Sequence, residues 1–594
     1  MNTKIKIEIL FLCVTFSISS FAQNGKIRGV ITDDASGHPI PYVNVTVLNS
    51  NPFIGTVTDS MGYFQLLNLP IGRYNIHASF LGYESATFRE VMVSSVKEIF
   101  LEFSLKENVQ QLDEVVVRPK TNKEEPLNKM TITGARMLSV EEASRYAGGF
   151  DDPARLVTSF AGVAGGVSSN SISIRGNSPQ SLQWKLEGIE IPNPSHYPDI
   201  GGVGGGILTA FSSQVLGNSD FLTGAFPSEY NNALSGVFDM QLRNGNNQDY
   251  EHTIQIGTLG VEFASEGPFS KDSKASYLFN YRYSSMALAG MLAPEALGDA
   301  AGMRYQDLSF KLNLPAKRAG VFSIWGIVTH DKFTTNALSD TAMWETENDR
   351  ASHIAQQSIG AVGIGHKYFF NTNTYLKTTV AGTFSKNHIW TDWYEADMNA
   401  SRIIDMKGDN YNMVFNTYLN KKFNALHTNQ TGLTVTGLFS NTDYNISSDY
   451  PFPSASTINF SNTHNSAVLF SAFSQSTFNL TDKWTVNLGA NFQYLSLNNH
   501  WTLEPRIGFK WQAAPSHSFA VAYGMHSRHE KPDYYFVTTP ESGNQLVNSQ
   551  LDFAKAHHFI VSYNWHISDL LHFKIEPYYQ YLYDVPVSPD NSFS

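Results

Sequence analysis

The sequence predicts a mostly β protein in three parts: an N-terminal β-sandwich, a mixed α+β domain and an antiparallel transmembrane β-barrel. Three observations carry this. Short strands separated by turn residues fill residues 25–107. A glycine-rich, partly helical stretch fills residues 129–246. From residue 247 to 594 long alternating strands are joined by connections that switch between short turns and long loops.

The chain opens "MNTKIKIEILFLCVTFSISSFAQ". Lys4 and Lys6 precede an apolar stretch from Ile7 to Ile18, and Ser20-Phe21-Ala22 has the small-x-small form of a cleavage site. This predicts a signal peptide over residues 1–22, because the apolar part is too short to span a bilayer. The chain's 1 cysteine, Cys13, lies inside that peptide. Leu12 before it is not the small residue that a lipid-anchored cysteine needs. The mature chain is therefore expected to hold no disulfide, thiolate metal site or cysteine nucleophile. A net charge of −12 argues against a nucleic-acid partner.

Residues 25–107 read as six or seven short strands punctuated by Gly37-His38-Pro39, Asp59-Ser60-Met61-Gly62 and Pro70-Ile71-Gly72, the pattern of a small sandwich. A linker over residues 108–128 follows. It contains Leu112, Asp113, Glu114, Val115, Val116 and Val117, a β-prone hexamer beside Pro119 and the charged run "KTNKEEP". The hexamer is either the last strand of the preceding domain or a strand that pairs with another protein. In the next region Ser139-Val140-Glu141-Glu142 has the capping-box pattern, and Asp151-Asp152-Pro153 predicts the start of a second helix.

In the last region Trp484, Val486, Leu488, Ala490, Phe492 and Tyr494 share one face, while Thr485, Asn487, Gly489, Asn491 and Gln493 share the other. About fifteen such strands are predicted, among them 358–370, 374–392, 411–424, 429–445, 466–480 and 570–587. Predicted turns are Asn371-Thr372-Asn373, Thr481-Asp482-Lys483 and Ser516-His517-Ser518. Predicted long loops are 287–304, 334–357, 395–410, 447–465 and 532–555. Trp390, Trp393 and Tyr394 read as interfacial aromatics or as a sugar-stacking platform. His526, His529, Glu530, Tyr534 and Tyr535 cluster near a strand end and are either solute contacts or polar rim residues. "GGVGGG" at 201–206 lacks the spacing of a dinucleotide site, and no hydrolase, zinc or P-loop motif is present.

Motifs carry a resemblance to known families. Gly29, Asp33, Gly37, Pro39, Thr58, Asp59, Gly62, Phe64, Leu69, Pro70, Gly72, Tyr74, Gly82 and Tyr83 resemble the carboxypeptidase regulatory-like domain. In "ISIRGNSPQSLQWKLEGIEIPNP", Arg175, Gly176, Glu187 and Gly188 resemble the plug motif of TonB-dependent receptors, with Glu187 where Asp is usual. In "EYNNALSGVFDMQLRNG", Tyr230, Gly236 and Arg243 resemble the segment that closes the plug.

The resemblance implies a plug over 129–246 inside a barrel of about 22 strands. With about fifteen predicted, about seven strands are expected to be missing at the C-terminus. It implies that Leu112–Val117 is a TonB box, pulled by TonB and its inner-membrane energising complex. The barrel would sit in outer-membrane lipid, with the N-terminal domain in the periplasm. The expected function is energy-coupled uptake of a scarce solute: an iron chelate, haem, cobalamin, glycan or peptide. The alternative is a ligand-binding or signalling barrel without transport. No catalytic residue, cofactor or resident metal is expected. Arg175 reads equally as a functional residue and as half of an ion pair.

Overall fold

The computed structural model describes residues 24–94, 98–108, 126–146, 152–165, 170–198, 205–257, 260–271, 273–284, 302–454, 456–538, 545–568 and 571–587. The expected signal peptide and TonB box, Leu112 to Val117, lie outside the described residues. The chain divides into two compact units, Met1–Asn122 and Lys123–Ser594.

The first unit is a sandwich of seven strands: β1 (Gly25–Asp33), β2 (Asn44–Val47), β3 (Gly55–Val57), β4 (Tyr63–Leu69), β5 (Gly72–Ser79), β6 (Ala86–Val93) and β7 (Ile99–Leu105). One sheet runs β4-β1-β7 and the other β3-β2-β5-β6. Inward residues of both sheets, among them Ile27, Ile31, Val45, Phe64, Ile76 and Phe103, form one core. Gly29 sits where β1 crosses beneath Phe64, and a Cβ there would collide with that ring and with the Leu101 carbonyl.

The second unit begins with a plug. Its strands are β8 (Ala135–Leu138), β9 (Val163–Ala164), β10 (Ser173–Ile174), β11 (Leu182–Leu186), β12 (Ile189–Ile191), β13 (Ser219–Leu222) and β14 (Gly236–Met240). Five of them form a sheet in the order β12-β11-β14-β13-β8. Helix α1 (Val140–Arg145) is capped by Ser139, whose side chain accepts from the Glu142 N–H. Helix α2 (Pro153–Leu156) is capped by Asp152 and starts on proline. All five residues of β11 are buried. Trp184 stacks on Phe238 with ring centroids 4.2 Å apart. On the opposite face, the Gln183 amide donates to Glu190 at 2.9 Å and Lys185 lies over the Tyr230 ring.

The remaining strands are β15 (Glu251–Ile256), β16 (Gly260–Pro268), β17 (Ser276–Ser284), β18 (Arg304–Pro315), β19 (Val321–Thr335), β20 (Ala351–Asn371), β21 (Thr374–Tyr394), β22 (Ala400–Asn424), β23 (His427–Ser447), β24 (Thr457–Thr481), β25 (Trp484–Leu495), β26 (His500–Ala514), β27 (His517–Arg528), β28 (Ala554–Ser568), β29 (Leu571–Ile575) and β30 (Tyr578–Tyr583). Each pairs antiparallel with its neighbour in chain order, except that β29 and β30 both pair with β28. The predicted last strand, 570–587, is thus one line broken at Glu576-Pro577, where proline offers no N–H to the ladder. Among the described residues β15 pairs only with β16.

Two expectations need correction. The segments 351–357, 400–410 and 457–465, read as loop, are strand. They lengthen β20, β22 and β24, so that the five strands β20 to β24 run to 21, 21, 25, 21 and 25 residues. At ordinary rise and tilt a 25-residue strand climbs about 60 Å, against an apolar band about 25 Å tall. The lower halves carry exposed apolar residues such as Phe370, Val380, Met413, Phe415 and Phe423. The upper halves stand above them as a crest. The second correction follows from this height. Trp393 lies at the top of β21 and is 3% exposed, packed with Ala351 and Ile403. Its ring is available neither as a membrane belt nor as a stacking platform.

Gly29→Ala should destabilise the sandwich by about 1–3 kcal/mol, the usual cost of overpacking. A lowered thermal transition by circular dichroism checks this; an unchanged transition contradicts the close approach described.

Candidate functional site

The motif residues converge on the seam between plug and barrel wall. After β10 the chain turns through Arg175 and Gly176, with φ of 53° and 83°. This left-handed pair sends the Arg175 side chain outward. Its Nη2 donates to Glu576 Oε1 at 2.7 Å, and its guanidinium lies 4.4 Å over the Tyr578 ring. Glu576 also accepts from Thr133 at 3.0 Å. The break before Pro577 places this carboxylate between β29 and β30.

The β11–β12 hairpin turns through Glu187 and Gly188, with φ of 53° and 88°. Two positive values in succession are what a two-residue hairpin of this hand demands. Glu187 Oε1 accepts from Lys311 at 2.7 Å and from the Leu242 N–H at 3.0 Å. Burial disfavours its charge, but Lys311 and the N–H outweigh burial and hold the carboxyl below its usual range. Arg243 clasps Glu266 of β16 through both terminal nitrogens, at 2.6 and 2.5 Å. Tyr230 is fully buried and donates to Asp239 at 2.7 Å. Gly236 opens β14 in a space that a Cβ would fill against Ile174.

Several seam residues escape the sequence reading. His196 stands between two barrel carboxylates: Nδ1 is 2.6 Å from Asp331 and Nε2 is 3.0 Å from Asp307. Ionised carboxylates only accept, so both ring nitrogens carry protons. Burial pushes the imidazole pKa down, while Asp331 and Asp307 raise it more, so it lies above the usual histidine value. Arg282 donates to the same Asp307 at 2.8 Å. The sequence signal was an Asp at inward positions of β18 and β19, in "YQDLSF" and "THDKF"; the plug loop "NPSHYPD" carries no periodicity to mark His196.

Arg506 of β26 reaches the plug carbonyls of Phe226, Pro227 and Tyr230. Gln475 and Asn487 donate to the Met130 carbonyl at 2.9 and 2.6 Å, and Asn491 to that of Ser228 at 2.7 Å. The first described residues of the plug are held as well. Asp220 accepts the N–H groups of Leu127 and Asn128, each at 2.7 Å, and burial raises its carboxyl to about 7.

The two flanks of the seam differ. Toward β17–β22 the plug core runs on into the wall through Leu278, Trp325, Ile327, Ala361, Ala381 and Val414. Toward β24–β26 the wall holds the plug by the hydrogen bonds to main-chain carbonyls just given. Contacts extend from Glu262 on β16, which accepts from Ser212, to Gln580 on β30, which accepts from Asn177 at 2.8 Å. The sheet is therefore rolled around the plug.

The five residues read as solute contacts or rim are placed unequally. His526 is fully buried, its ring 4.7 Å from Phe226 and 4.6 Å from His558, so it faces the plug and not the rim. His529 receives no solvent-facing role either: its N–H donates to Asn232 of the plug at 3.0 Å, and Nδ1 donates to the Glu530 carbonyl at 2.6 Å. The Glu530 N–H donates to the Tyr535 hydroxyl at 3.2 Å. Tyr535 is buried with Phe536 and Phe553 against Leu438, Leu469 and Leu495. Tyr534 is exposed. Thus the segment after β27, with helix α3 (Pro532–Tyr535), folds inward onto the wall. Among the described residues no group of three or more His, Cys, Asp or Glu is placed to hold a metal.

Residues 303–593 match the family model described as TonB dependent receptor-like, beta-barrel. The chain belongs to the TonB-dependent receptors. This receptor also matches the CarboxypepD_reg-like domain over residues 27–117. No curated protein sequence matches it. Among solved structures it is similar to the siderophore receptor PiuA from Acinetobacter baumannii, at 12% identity and a TM-score of 0.54, covering 77% of this chain and 74% of that one. It is similar to the outer membrane transporter YddB from Escherichia coli, at 11% identity and a TM-score of 0.52, covering 73% and 67%. It is also similar to the FrpB iron transporter from Neisseria meningitidis, at 11% identity and a TM-score of 0.52, covering 76% and 73%. At such identities the likeness establishes the fold. Among the described residues no helix is long and apolar enough to cross a membrane; a receptor of this fold crosses with strands.

His196→Gln in this receptor should cost about 3–5 kcal/mol, because it leaves Asp331 buried without its cation, while Asp307 keeps Arg282. The contribution of His196 is whole below the free-histidine pKa of about 6.5. It fades as the pH climbs through the raised value. Denaturant unfolding of the detergent-solubilised protein across that range checks both; equal stability of variant and parent would remove the clamp.

Proposed function

We propose that the protein takes up a scarce solute across the outer membrane, with displacement of the plug driven by TonB. The observation that supports this is the seam. The plug occupies the space inside the rolled sheet, held by buried ion pairs at Arg175, Glu187, His196 and Arg243. Groups so placed do not part on thermal motion alone, since each separated charge left unpaired in a low dielectric costs several kcal/mol. A path for solute therefore needs work from outside the molecule. The hexamer Leu112–Val117 is the handle in this reading: it precedes the plug in the chain, and a strand added to TonB grips by main-chain hydrogen bonds. Solute binding at the outer side would come first, among the loops and the outward plug face. Arg175, on the turn of the plug motif and tied to the wall, would pass a shift of the plug to the barrel. The N-terminal sandwich would lie in the periplasm.

A second reading has one observation in its favour. The match to the regulatory-like domain runs to Val117, through the hexamer. Were the hexamer the last strand of that domain, the barrel would bind or signal without transport. Deleting Asp113–Val117 separates the two. Capture of the purified periplasmic domain of TonB by the full chain should be lost on deletion, with the thermal transition of the sandwich unchanged. Retained capture, or a sandwich that no longer folds, would favour the second reading.

A further inference from the structure

The chain enters the plug through the segment Leu127–Met130, so a pull on the linker arrives there first. Asp220, 3% exposed, accepts the main-chain N–H groups of Leu127 and Asn128, one on each carboxylate oxygen and each at 2.7 Å. Hydrogen bonds to an ionised carboxylate are roughly twice as strong as neutral ones. The Asn128 side-chain amide adds bonds to Glu229 and, at 3.0 Å, to the Tyr230 hydroxyl. All of these bonds end on the plug. Two residues further on, the Met130 carbonyl is tied instead to the wall, by Gln475 and Asn487.

Asp220 is rooted in the middle of the plug sheet. It sits on β13, directly opposite Met137 of the edge strand β8 on one side and Asp239 of β14 on the other. Asp239 accepts from Tyr230 at 2.7 Å and stands opposite Lys185 of β11, which in turn stands opposite Glu190 of β12. One row of charged side chains thus crosses four of the five strands. A load placed on Asp220 enters that row, and the sheet takes it as a block. The chain itself offers a weaker route. Past Met130 it runs into β8, which is 4 residues long and, among the described residues, pairs with β13 alone. A short edge strand with one neighbour is the part of a sheet that opens most readily.

We propose that Asp220 is the fastening that lets a pull on the linker move the plug as one body. While it holds Leu127 and Asn128, force bypasses β8 and enters the sheet at β13. Once it lets go, force runs along the chain to Met130 and β8, and the plug frays from that edge. Asp220 is in this sense a positioning residue. Only the source of the pull rests on the uptake reading.

Single-molecule pulling of the full chain in a supported bilayer tests this. With Cys13 expected to leave with the signal peptide, Asn122→Cys supplies a unique handle on the linker. The parent should yield without an early step. Asp220→Ala should add a first step, at lower force, of about 40 Å, the extended length of the chain from Leu127 to Leu138. The isosteric Asp220→Asn keeps one acceptor oxygen and guards against a variant that fails to fold. Hydrogen exchange at about pH 8, above the raised value of the Asp220 carboxyl, reads it without force. The Leu127 and Asn128 amides should exchange about tenfold faster in Asp220→Asn, the effect of losing one bond to a charged group. Those of β11 and β14 should be unchanged. The same first step in parent and Asp220→Ala, unaltered exchange at Leu127 and Asn128, or equal acceleration across β11 and β14 would overturn the proposal. Both measurements omit TonB, so they can succeed where its capture fails, and the reverse.

Discussion

A domain folded inside a barrel turns its sides to a wall and not to bulk water. That constraint governs the rest of this molecule. A polar group of the plug buried at the seam needs a partner in the plug or on the wall, because a buried donor or acceptor left alone costs more than a made hydrogen bond returns. The wall accordingly carries Glu266, Lys311, Asp307, Asp331 and Glu576 where the plug presents Arg243, Glu187, His196 and Arg175. Ion pairs of this kind add little net stability over an apolar contact of equal shape, but they are unforgiving of misplacement. They fix the plug in one orientation.

The same constraint explains the backbone at the motif residues. Two of the plug side chains that reach the wall stand on tight turns, at Arg175-Gly176 and Glu187-Gly188, where consecutive positive φ values aim the side chain away from the sheet. The wall answers with its own irregularity. Pro577 interrupts the last strand line next to Glu576, so the carboxylate that meets Arg175 lies at a break in the ladder.

Much of this was legible in the sequence. Alternation of apolar and polar residues, as in Trp484–Tyr494, locates the strands wherever one face of the sheet is apolar and the other polar. It fails above that apolar band, where both sides of a strand meet water or polar neighbours. "ASRIIDMKGDN" therefore read as loop and is the upper part of β22. Within the plug, Arg175 and Glu187 were visible because each precedes a glycine that the turn requires. His196 was not, since its loop has no period and its partners lie more than one hundred residues further along, at 111 and 135 positions' separation. Long-range pairing of that kind leaves no local mark. His526 looked like a rim residue because it sits near a strand end; it is buried against Phe226 of the plug and His558 of β28.

The unequal flanks of the seam have a mechanical consequence. Parting the plug from β17–β22 would strip contacts from Trp325, Ile327 and Val414, at about 25 cal/mol for each Å² laid bare. Parting it from β24–β26 would break hydrogen bonds that entering water can remake one by one. Were a pull from outside to part the seam, the apolar flank would serve as the hinge and the hydrogen-bonded flank would give first. A passage would then open along one side of the bore, with the plug still attached to the other.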